Sequence, residues 1–334
     1  YWFARPGDGE SPAANTPFLY RLSWEEETPP KSSCVETFDP ANLGVSISGG
    51  PLEESWGELE RYSRTLAPVL EDYAGEATEA ARRRMGWHPQ TGEGWERREL
   101  QAALTIAPGK EKLFERIVEI LCETGAASLV QPGVIRVERR LRSEPEALTG
   151  RSDEEELLTR CCAALDKVLK GWQDPVELLF PAGKFDQAER LFSDSAFSRV
   201  MNGCASQVVR GIVANRSDGR VMRVLEVGAG TGGTTSALLP LFPRNATEYT
   251  FTDVSGAFFT RAKARFDGYV GMSYRTLDLE REPERQGFEN SRYDLVIAAN
   301  VLHATHDVVR SLRRLHQLLA PGGFLLLAES TTKQ

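Results

Sequence analysis

Apolar residues in the first half of the chain recur at helical spacing, interrupted by one short stretch with strand character. Ser152 and Glu155 stand three residues apart at the start of one helical segment, which is the spacing of a capping box. Gly125 follows another segment and is a typical helix end. The pattern predicts helices over 59–84, 110–123 and 153–169 and a hairpin over 127–137.

The pattern changes after about residue 190, where short apolar runs alternate with helical segments. The expected strands are 223–227, 249–252, 272–277, 293–299 and 324–328. Strand–helix alternation of this kind predicts an α/β fold with a parallel sheet. Ligands of such sheets bind at the carboxyl ends of the strands. The polar residues that follow these runs are therefore the candidate site.

Composition narrows the class of protein. At 334 residues the chain has room for two domains, and its 41% hydrophobic and 26% charged residues are ordinary for a globular protein. A net charge of −8 argues against a nucleic-acid partner, which requires a concentrated basic surface. No apolar run approaches the ~20 residues that cross a bilayer, so no membrane partner is expected. The five cysteines lack metal-ligand spacing, and we expect free thiols, no metal and a cytoplasmic location.

Residues 1–55 are rich in Pro, Gly and Ser and predict a linker, with one strand expected over 18–24. The first residue is Tyr1, and nothing near it resembles a signal peptide. We expect the chain to be a piece of a longer polypeptide.

A glycine-rich turn follows the first strand of the alternating region. Gly228, Gly230 and Gly232 can adopt positive φ and let a ligand approach the backbone. Glu226 stands just before them, where a carboxylate can meet the ammonium of a methionine moiety, and this favours S-adenosylmethionine as the cofactor. Gly228, Gly230 and Gly233 also fit a dinucleotide fingerprint, and a ligand-free turn is a further alternative.

Four more residues at strand ends are candidates for cofactor binding. Asp253 can accept the ribose hydroxyls, although it can also cap the helix that begins near Ser255. Asp278 can accept from an adenine amino group, with Leu279 as an apolar contact, or it can belong to a plain surface turn. Asn300 can hydrogen-bond the cofactor or cap its loop.

His303 and Glu329 follow the fourth and fifth strands, which are neighbours in the usual order of such sheets. An imidazole is suited to proton abstraction near neutral pH, and a carboxylate partner fixes its tautomer. The pair is therefore the candidate catalytic site. The alternative is a histidine that packs or caps a loop.

These motifs together resemble the C-methyltransferase domain of modular polyketide synthases. The similar segments are 225–235, 251–255, 300–305 and 319–323 in the core, 178–181 and 194–202 upstream, and 19–24 in the linker, which resembles the joint after a dehydratase domain. The resemblance implies a Rossmann-like class I methyltransferase core at 191–334, a mainly helical N-terminal lid at 56–190 and a linker at 1–55 that follows an upstream synthase domain. Such cores continue past the fifth strand, so we expect the sheet to be completed beyond Gln334.

The resemblance also implies an activity. It is methylation of the α-carbon of a β-ketoacyl chain, held as a phosphopantetheine thioester on an acyl carrier protein, with S-adenosylhomocysteine as the product. His303 matches the family's general base and Glu329 the acid that orients it. The partners are then the carrier protein and neighbouring synthase domains. An O- or N-methyltransferase and an inactive structural domain are the alternatives.

Two basic clusters are a separate hypothesis. Arg82, Arg83 and Arg84 form one, and Arg139, Arg140 and Arg142 form the other. They can dock an acidic carrier protein by electrostatic attraction, or they can lie on solvated faces.

Overall fold

A computed structural model describes residues 51–139, 144–216 and 219–329. The predicted linker, apart from its last residues, and the strand expected over 18–24 lie outside this part of the chain. The described residues form two compact units. One comprises residues 57–191, and the other comprises residues 192–329 together with 51–56. The assignment of these parts as lid and cofactor core stays a prediction.

The elements follow the predicted alternation closely. The helices are α1 (Pro51–Arg84), α2 (Arg97–Ala103), α3 (Glu111–Glu123), α4 (Asp153–Ala163), α5 (Leu165–Leu169), α6 (Pro175–Leu179), α7 (Asp186–Asp194), α8 (Ala196–Ala214), α9 (Gly233–Leu238), α10 (Phe259–Arg265) and α11 (Val308–Leu318). The strands are β1 (Gly94–Glu96), β2 (Ala127–Gln131), β3 (Val134–Val137), β4 (Met222–Val227), β5 (Thr247–Asp253), β6 (Met272–Thr276), β7 (Tyr293–Ala299) and β8 (Leu319–Ala328).

The larger unit contains a five-stranded sheet in the order β6-β5-β4-β7-β8, and every pair in it is parallel. The chain order reverses at β4, which lies between β5 and β7. In sheets of this kind the ligand crevice opens at such a reversal, outside the carboxyl ends of the strands. The predicted α/β class and its parallel sheet are confirmed.

Alternate residues of the central strands face opposite sides of the sheet, and each side has its own apolar core. On one side Val224 and Phe251 pack with Leu238 of α9. On the other side Leu225 and Val296 pack with Leu315 of α11. Four of these six side chains, those of Val224, Leu225, Phe251 and Val296, lie in predicted strands, and burial on both faces is typical of parallel sheets.

The smaller unit is mainly helical but also contains a three-stranded antiparallel sheet in the order β1-β3-β2. The hairpin of β2 and β3 was predicted, whereas β1 was not, because three residues carry too little periodicity. The capping box at Ser152 and Glu155 is present and begins α4. The helix predicted over 153–169 is interrupted at Ala164, which ends α4 and precedes α5.

The first basic cluster is mostly engaged inside the smaller unit. Arg82 is buried and donates from Nη1 to the backbone oxygen of Trp87 at 2.6 Å. Arg84 donates from Nε to Asp166 at 2.8 Å. Only Arg83 of the three is both exposed and without such a bond. The cluster therefore holds the end of α1 in place, and it does not present three free cations to a partner.

Candidate active site

The glycine turn after β4 has the backbone that its sequence requires. Gly228, Gly230 and Gly232 have φ values of 63°, 52° and 79°, in the left-handed region that favours glycine. A Cβ at Gly228 would lie 2.5 Å from Val301 Cγ2. Above Gly230, by contrast, nothing lies nearer to the Cβ position than a backbone oxygen at 3.9 Å. The turn therefore leaves open space beside its central glycine.

Glu226 lies in β4 on the sheet face that packs against α9, and it is 2% exposed. Its Oε2 accepts hydrogen bonds from Thr235 Oγ1 at 2.6 Å and from Tyr249 Oη at 2.7 Å. Burial raises the pKa of this carboxyl to about 7, although the two hydrogen bonds act in the opposite direction. Its Oε1 accepts no bond from the described residues, so one oxygen is left for another donor.

Asp253 ends β5 and is 7% exposed. Its Oδ2 accepts from the Gly230 backbone N at 3.0 Å, and its Oδ1 accepts from the Ser255 backbone N at 2.9 Å. Burial raises the pKa of this carboxyl above its ordinary value. Asp253 thus ties the glycine turn to the loop after β5. Each oxygen retains a lone pair with which it can accept a ligand hydroxyl.

Val254, the next residue, was not singled out from the sequence. Its side chain is 70% exposed, which is unusual for an aliphatic residue beside a buried acid. The only sequence signal was its place immediately after an acidic strand end.

Asp278 and Leu279 follow β6 in different surroundings. Asp278 is partly exposed, and its backbone N donates to Gln286 Oε1 at 2.8 Å while its backbone O accepts from Gln286 Nε2 at 2.9 Å. Gln286 fixes this turn, and no sequence pattern pointed to it. Leu279 is 5% exposed and packs in the core with Phe288, so only a small part of its surface is left for a ligand.

His303 and Glu329 are brought together by the pairing of β7 with β8. The register places Ala299 beside Ala328, so the residues that follow both strands leave the sheet at the same edge. His303 Nδ1 lies 2.8 Å from Glu329 Oε2. The imidazole is 51% exposed and the Glu329 side chain 16%. A carboxylate beside Nδ1 favours the tautomer with hydrogen on Nδ1, which leaves Nε2 as the basic nitrogen of the ring.

Asn300 stands between β7 and His303 and has φ of 55°, a left-handed conformation that asparagine adopts more readily than most residues. Its backbone N donates to the Ala328 oxygen at 2.8 Å. The side chain is exposed and makes no hydrogen bond within the described part of the chain. Asn300 therefore reverses the chain at this point and keeps its amide free.

The described residues contain neither a candidate metal site nor a candidate membrane span. No group of three His, Cys, Asp or Glu side chains there is placed to hold a metal ion. None of the helices in the same residues has the length and apolar character needed to span a bilayer.

Comparison with known proteins assigns this arrangement to a family. Residues 225–325 match a family model described as a methyltransferase domain. The CurJ carbon methyltransferase is 38% identical, with a TM-score of 0.79 over 84% of this chain and 77% of that one. The hybrid synthetase iccA of Talaromyces variabilis is 32% identical over 67% of this chain, and the polyketide synthase ThaQ of Burkholderia thailandensis is 39% identical over 52%. The chain belongs to the carbon methyltransferase domains of polyketide synthases.

This methyltransferase domain spans 6% of the length of iccA and 9% of the length of ThaQ. Relatives of the domain are therefore parts of much longer multidomain synthases. Family membership also makes the domain an S-adenosylmethionine-dependent enzyme, which excludes the dinucleotide alternative.

The residues present fit that cofactor. The open space beside Gly230 admits a ligand against the backbone, and the carboxyl of Glu226 has one unpartnered oxygen in a buried setting. A buried acid with a spare acceptor matches a cationic amino-acid group. Asp253 and the exposed Val254 stand at the next strand end with acceptor and apolar surface respectively.

Proposed function

We propose that this domain methylates the α-carbon of a β-ketoacyl chain held as a thioester on an acyl carrier protein. His303 acts as the general base and Glu329 orients it. The observation that carries the proposal is the 2.8 Å approach of His303 Nδ1 to Glu329, which favours Nε2 as the basic nitrogen of a half-exposed imidazole at the edge of the sheet. The carrier protein and the neighbouring synthase domains are the proposed partners.

The chemistry suits an imidazole base. A carbon between a ketone and a thioester carries an acidic hydrogen, and His303 Nε2 accepts this proton while the electron pair forms an enolate. S-adenosylmethionine supplies an electrophilic methyl group when bound and leaves as a neutral thioether, so no acid is needed for the leaving group. Glu329 stabilises the imidazolium that forms on proton transfer. General base catalysis of this kind contributes about 10²–10⁴-fold in rate.

Residues at three strand ends, those of β4, β5 and β6, provide the proposed cofactor contacts. Glu226 accepts from the ammonium, Asp253 from the ribose hydroxyls and Asp278 from the adenine amino group, while Val254 gives an apolar contact beside the base. The glycines of the turn allow the ligand to reach the backbone. The small exposed area of Leu279 makes it a minor contact in this arrangement.

The decisive experiment uses carrier-bound β-ketoacyl substrate and S-adenosylmethionine, with mass spectrometry of the acyl chain. We expect a gain of one methyl group at the carbon between the two carbonyls. Methylation at an oxygen or nitrogen would reject carbon specificity for this substrate, and no methylation by a domain that binds the cofactor would reject the β-ketoacyl thioester as its substrate.

The matched variants are His303→Ala and His306→Ala. His306 is three residues away, exposed and paired with Glu280, so its loss changes charge and size without touching the proposed base. We expect His303→Ala to lose turnover by about 10²-fold or more while cofactor affinity changes little. His306→Ala should keep wild-type turnover. Full activity in His303→Ala would reject the base assignment.

The helical region over 56–190 is proposed as the lid that excludes water and shapes the acyl site, with 191–334 as the cofactor core. Hydrogen exchange tests this division. Binding of the cofactor alone should protect strand ends in the core, and a substrate thioester should add protection in the helical region. Unchanged exchange in 56–190 with both ligands bound would reject the lid.

A further inference from the structure

We infer that Val301 is a positioning residue, which fixes His303 relative to the cofactor turn by packing on Gly228. The inference rests on the proposed role of His303 as the base. It assigns a specific task to a residue that the proposed function leaves without a role.

The segment after β7, residues 301–303, is held by the carboxylate of Glu329. Glu329 does more than contact His303. Its Oε1 accepts from the backbone N of Val301 and from the backbone N of Leu302, both at 2.7 Å, while Oε2 lies 2.8 Å from His303 Nδ1. One carboxylate therefore holds three consecutive residues. Movement of the imidazole away from this position breaks its contact with the carboxylate that also holds the backbone of Val301 and Leu302.

The same segment contacts the glycine turn after β4 through Val301, which lies against Gly228. Val301 Cγ2, Cγ1 and Cβ lie 2.5, 3.3 and 3.5 Å from the position that a Cβ would occupy at Gly228. Contacts under 3.0 Å are not made by real Cβ atoms, so the branched side chain of Val301 fills the space that any other residue at 228 would use. Gly228 is needed here for this approach as well as for its φ of 63°.

The glycine turn is itself held in place by hydrogen bonds to β5. Gly228 begins the turn whose next residues are tied to β5, because Ala229 N donates to the Thr252 oxygen at 2.8 Å and Gly230 N donates to Asp253. Val301 is thus wedged between a fixed turn and a fixed carboxylate. Its volume sets the separation between the backbone that the cofactor approaches and the imidazole that takes the proton.

Leu302 anchors the other side of the segment. It is 3% exposed and packs in the core with Leu315 of α11. The short 3-10 turn over Leu302–Ala304 begins at this residue. Motion of His303 is therefore restricted from both sides, and Val301 is the member of the segment that faces the cofactor turn.

The test compares Val301→Ala with Val301→Thr. Alanine removes both γ atoms and opens a gap over Gly228, whereas threonine keeps the branched shape. We expect Val301→Ala to lower kcat by about 10-fold, since a 1 Å misplacement can reduce rate by ~10²-fold. The pH–rate profile should keep its shape, because the contact between His303 and Glu329 remains. Val301→Thr should keep most of the wild-type kcat.

A merely structural role is separated by two controls. Val309→Ala makes the same chemical change on an exposed side chain of α11, and it should leave kcat unchanged. The thermal unfolding midpoints of Val301→Ala and Val301→Thr are measured beside their kcat values. A loss of kcat that simply follows the midpoint, in alanine and threonine alike, would overturn the positioning role.

A double-mutant cycle gives the second measurement. In Gly228→Ala the new methyl group meets Val301, and adding Val301→Ala should recover at least part of the lost kcat. The left-handed strain of alanine at 228 is present in both variants and cancels in the cycle. Additive losses would overturn the inference while leaving the proposed function intact. An active His303→Ala, by contrast, would remove the base and this inference with it.

Discussion

Two glutamates at the carboxyl edge of the sheet lie in opposite surroundings. Glu226 is almost fully buried and receives two hydroxyl donors on a single oxygen. Glu329 is more accessible and contacts three nitrogens through both of its oxygens, two of them backbone N–H groups. The end of β4 therefore holds a carboxyl whose pKa burial raises to about 7, whereas the end of β8 holds a carboxylate that anchors the segment after β7. The same residue type gains two functions from its environment.

The largest effect on activity in this comparison is expected from changing Glu329, the carboxylate at the end of β8. In Glu329→Gln one amide oxygen can still accept from the backbone, but the amide nitrogen donates to His303 Nδ1. Nδ1 then becomes the acceptor and Nε2 carries the hydrogen, so the imidazole can no longer take a proton. We expect kcat to fall by about 10²–10⁴-fold with little change in thermal stability.

Glu329→Ala separates the two roles of this carboxylate. It leaves the backbone N–H groups of Val301 and Leu302 without their acceptor, and each such group destabilises the fold by about 1–3 kcal/mol when it stays buried. Denaturant unfolding should therefore show a clear loss in Glu329→Ala and little in Glu329→Gln. Equal stability of the two variants would contradict the role of Glu329 as the anchor of the segment.

The candidate site shows which parts a sequence can predict. Glu226, Asp253 and His303 could be chosen because strand ends in a parallel sheet converge, and this rule depends only on strand order. What the carboxyls contact could not be chosen in the same way. Tyr249 lies 23 positions from Glu226 and reaches it only because β4 and β5 pair in one particular register. Gln286, which fixes Asp278, stood in a segment without periodicity.

The fold was predictable for a similar reason. The bounds of β7 are those expected, since a buried parallel strand is a continuous apolar run. β8 begins at Leu319 rather than at 324, because Leu319 pairs with Tyr293. The register then shifts across a Pro-Gly-Gly segment without strand character, and pairing resumes between Phe324 and Leu295. In the smaller unit Arg82 was expected on a surface, but it is buried, donates to the Trp87 backbone oxygen and lies over the Trp87 ring, because the chain turns back after the end of α1.

The next prediction concerns Glu226, whose pKa is raised to about 7 by burial. When pH rises from the unfolded carboxyl pKa to about 7, the unfolded chain releases the Glu226 proton while the folded domain keeps it. Stability therefore falls across this window, and the full loss is present above it. Since one pKa unit corresponds to about 1.4 kcal/mol, the free energy of unfolding of the wild type should fall by about 3 kcal/mol across this window. In Glu226→Gln this fall should be absent. Denaturant unfolding from about pH 5 to about pH 8, without cofactor, measures it.

Asp253→Asn is the control, because that carboxyl lies at the same edge and its pKa is raised by the same cause to a smaller extent. Asp253→Asn should reduce the pH dependence of the free energy of unfolding less than Glu226→Gln does. A cofactor ammonium beside Glu226 favours the ionised form, so calorimetry in buffers of different ionisation enthalpy should also detect proton release when S-adenosylmethionine binds below about pH 7. Proton uptake on binding would place the ammonium elsewhere.

The smallest effect is expected from Tyr249→Phe, which removes one of the two hydroxyl donors to Glu226 and nothing else of its ring. Loss of this bond reduces stability by about 1 kcal/mol. It also withdraws support from the ionised carboxyl, so the pKa of Glu226 should rise and the pH window of falling stability should extend upward. Carboxyl carbon NMR of Glu226 follows this directly. Tyr274→Phe is the matched control, since its hydroxyl donates to the Ala262 backbone oxygen at 3.3 Å and not to a carboxyl. A Glu226 pKa that moves equally in both variants would mean that burial alone, and not the hydroxyl pair, distinguishes the end of β4 from the end of β8.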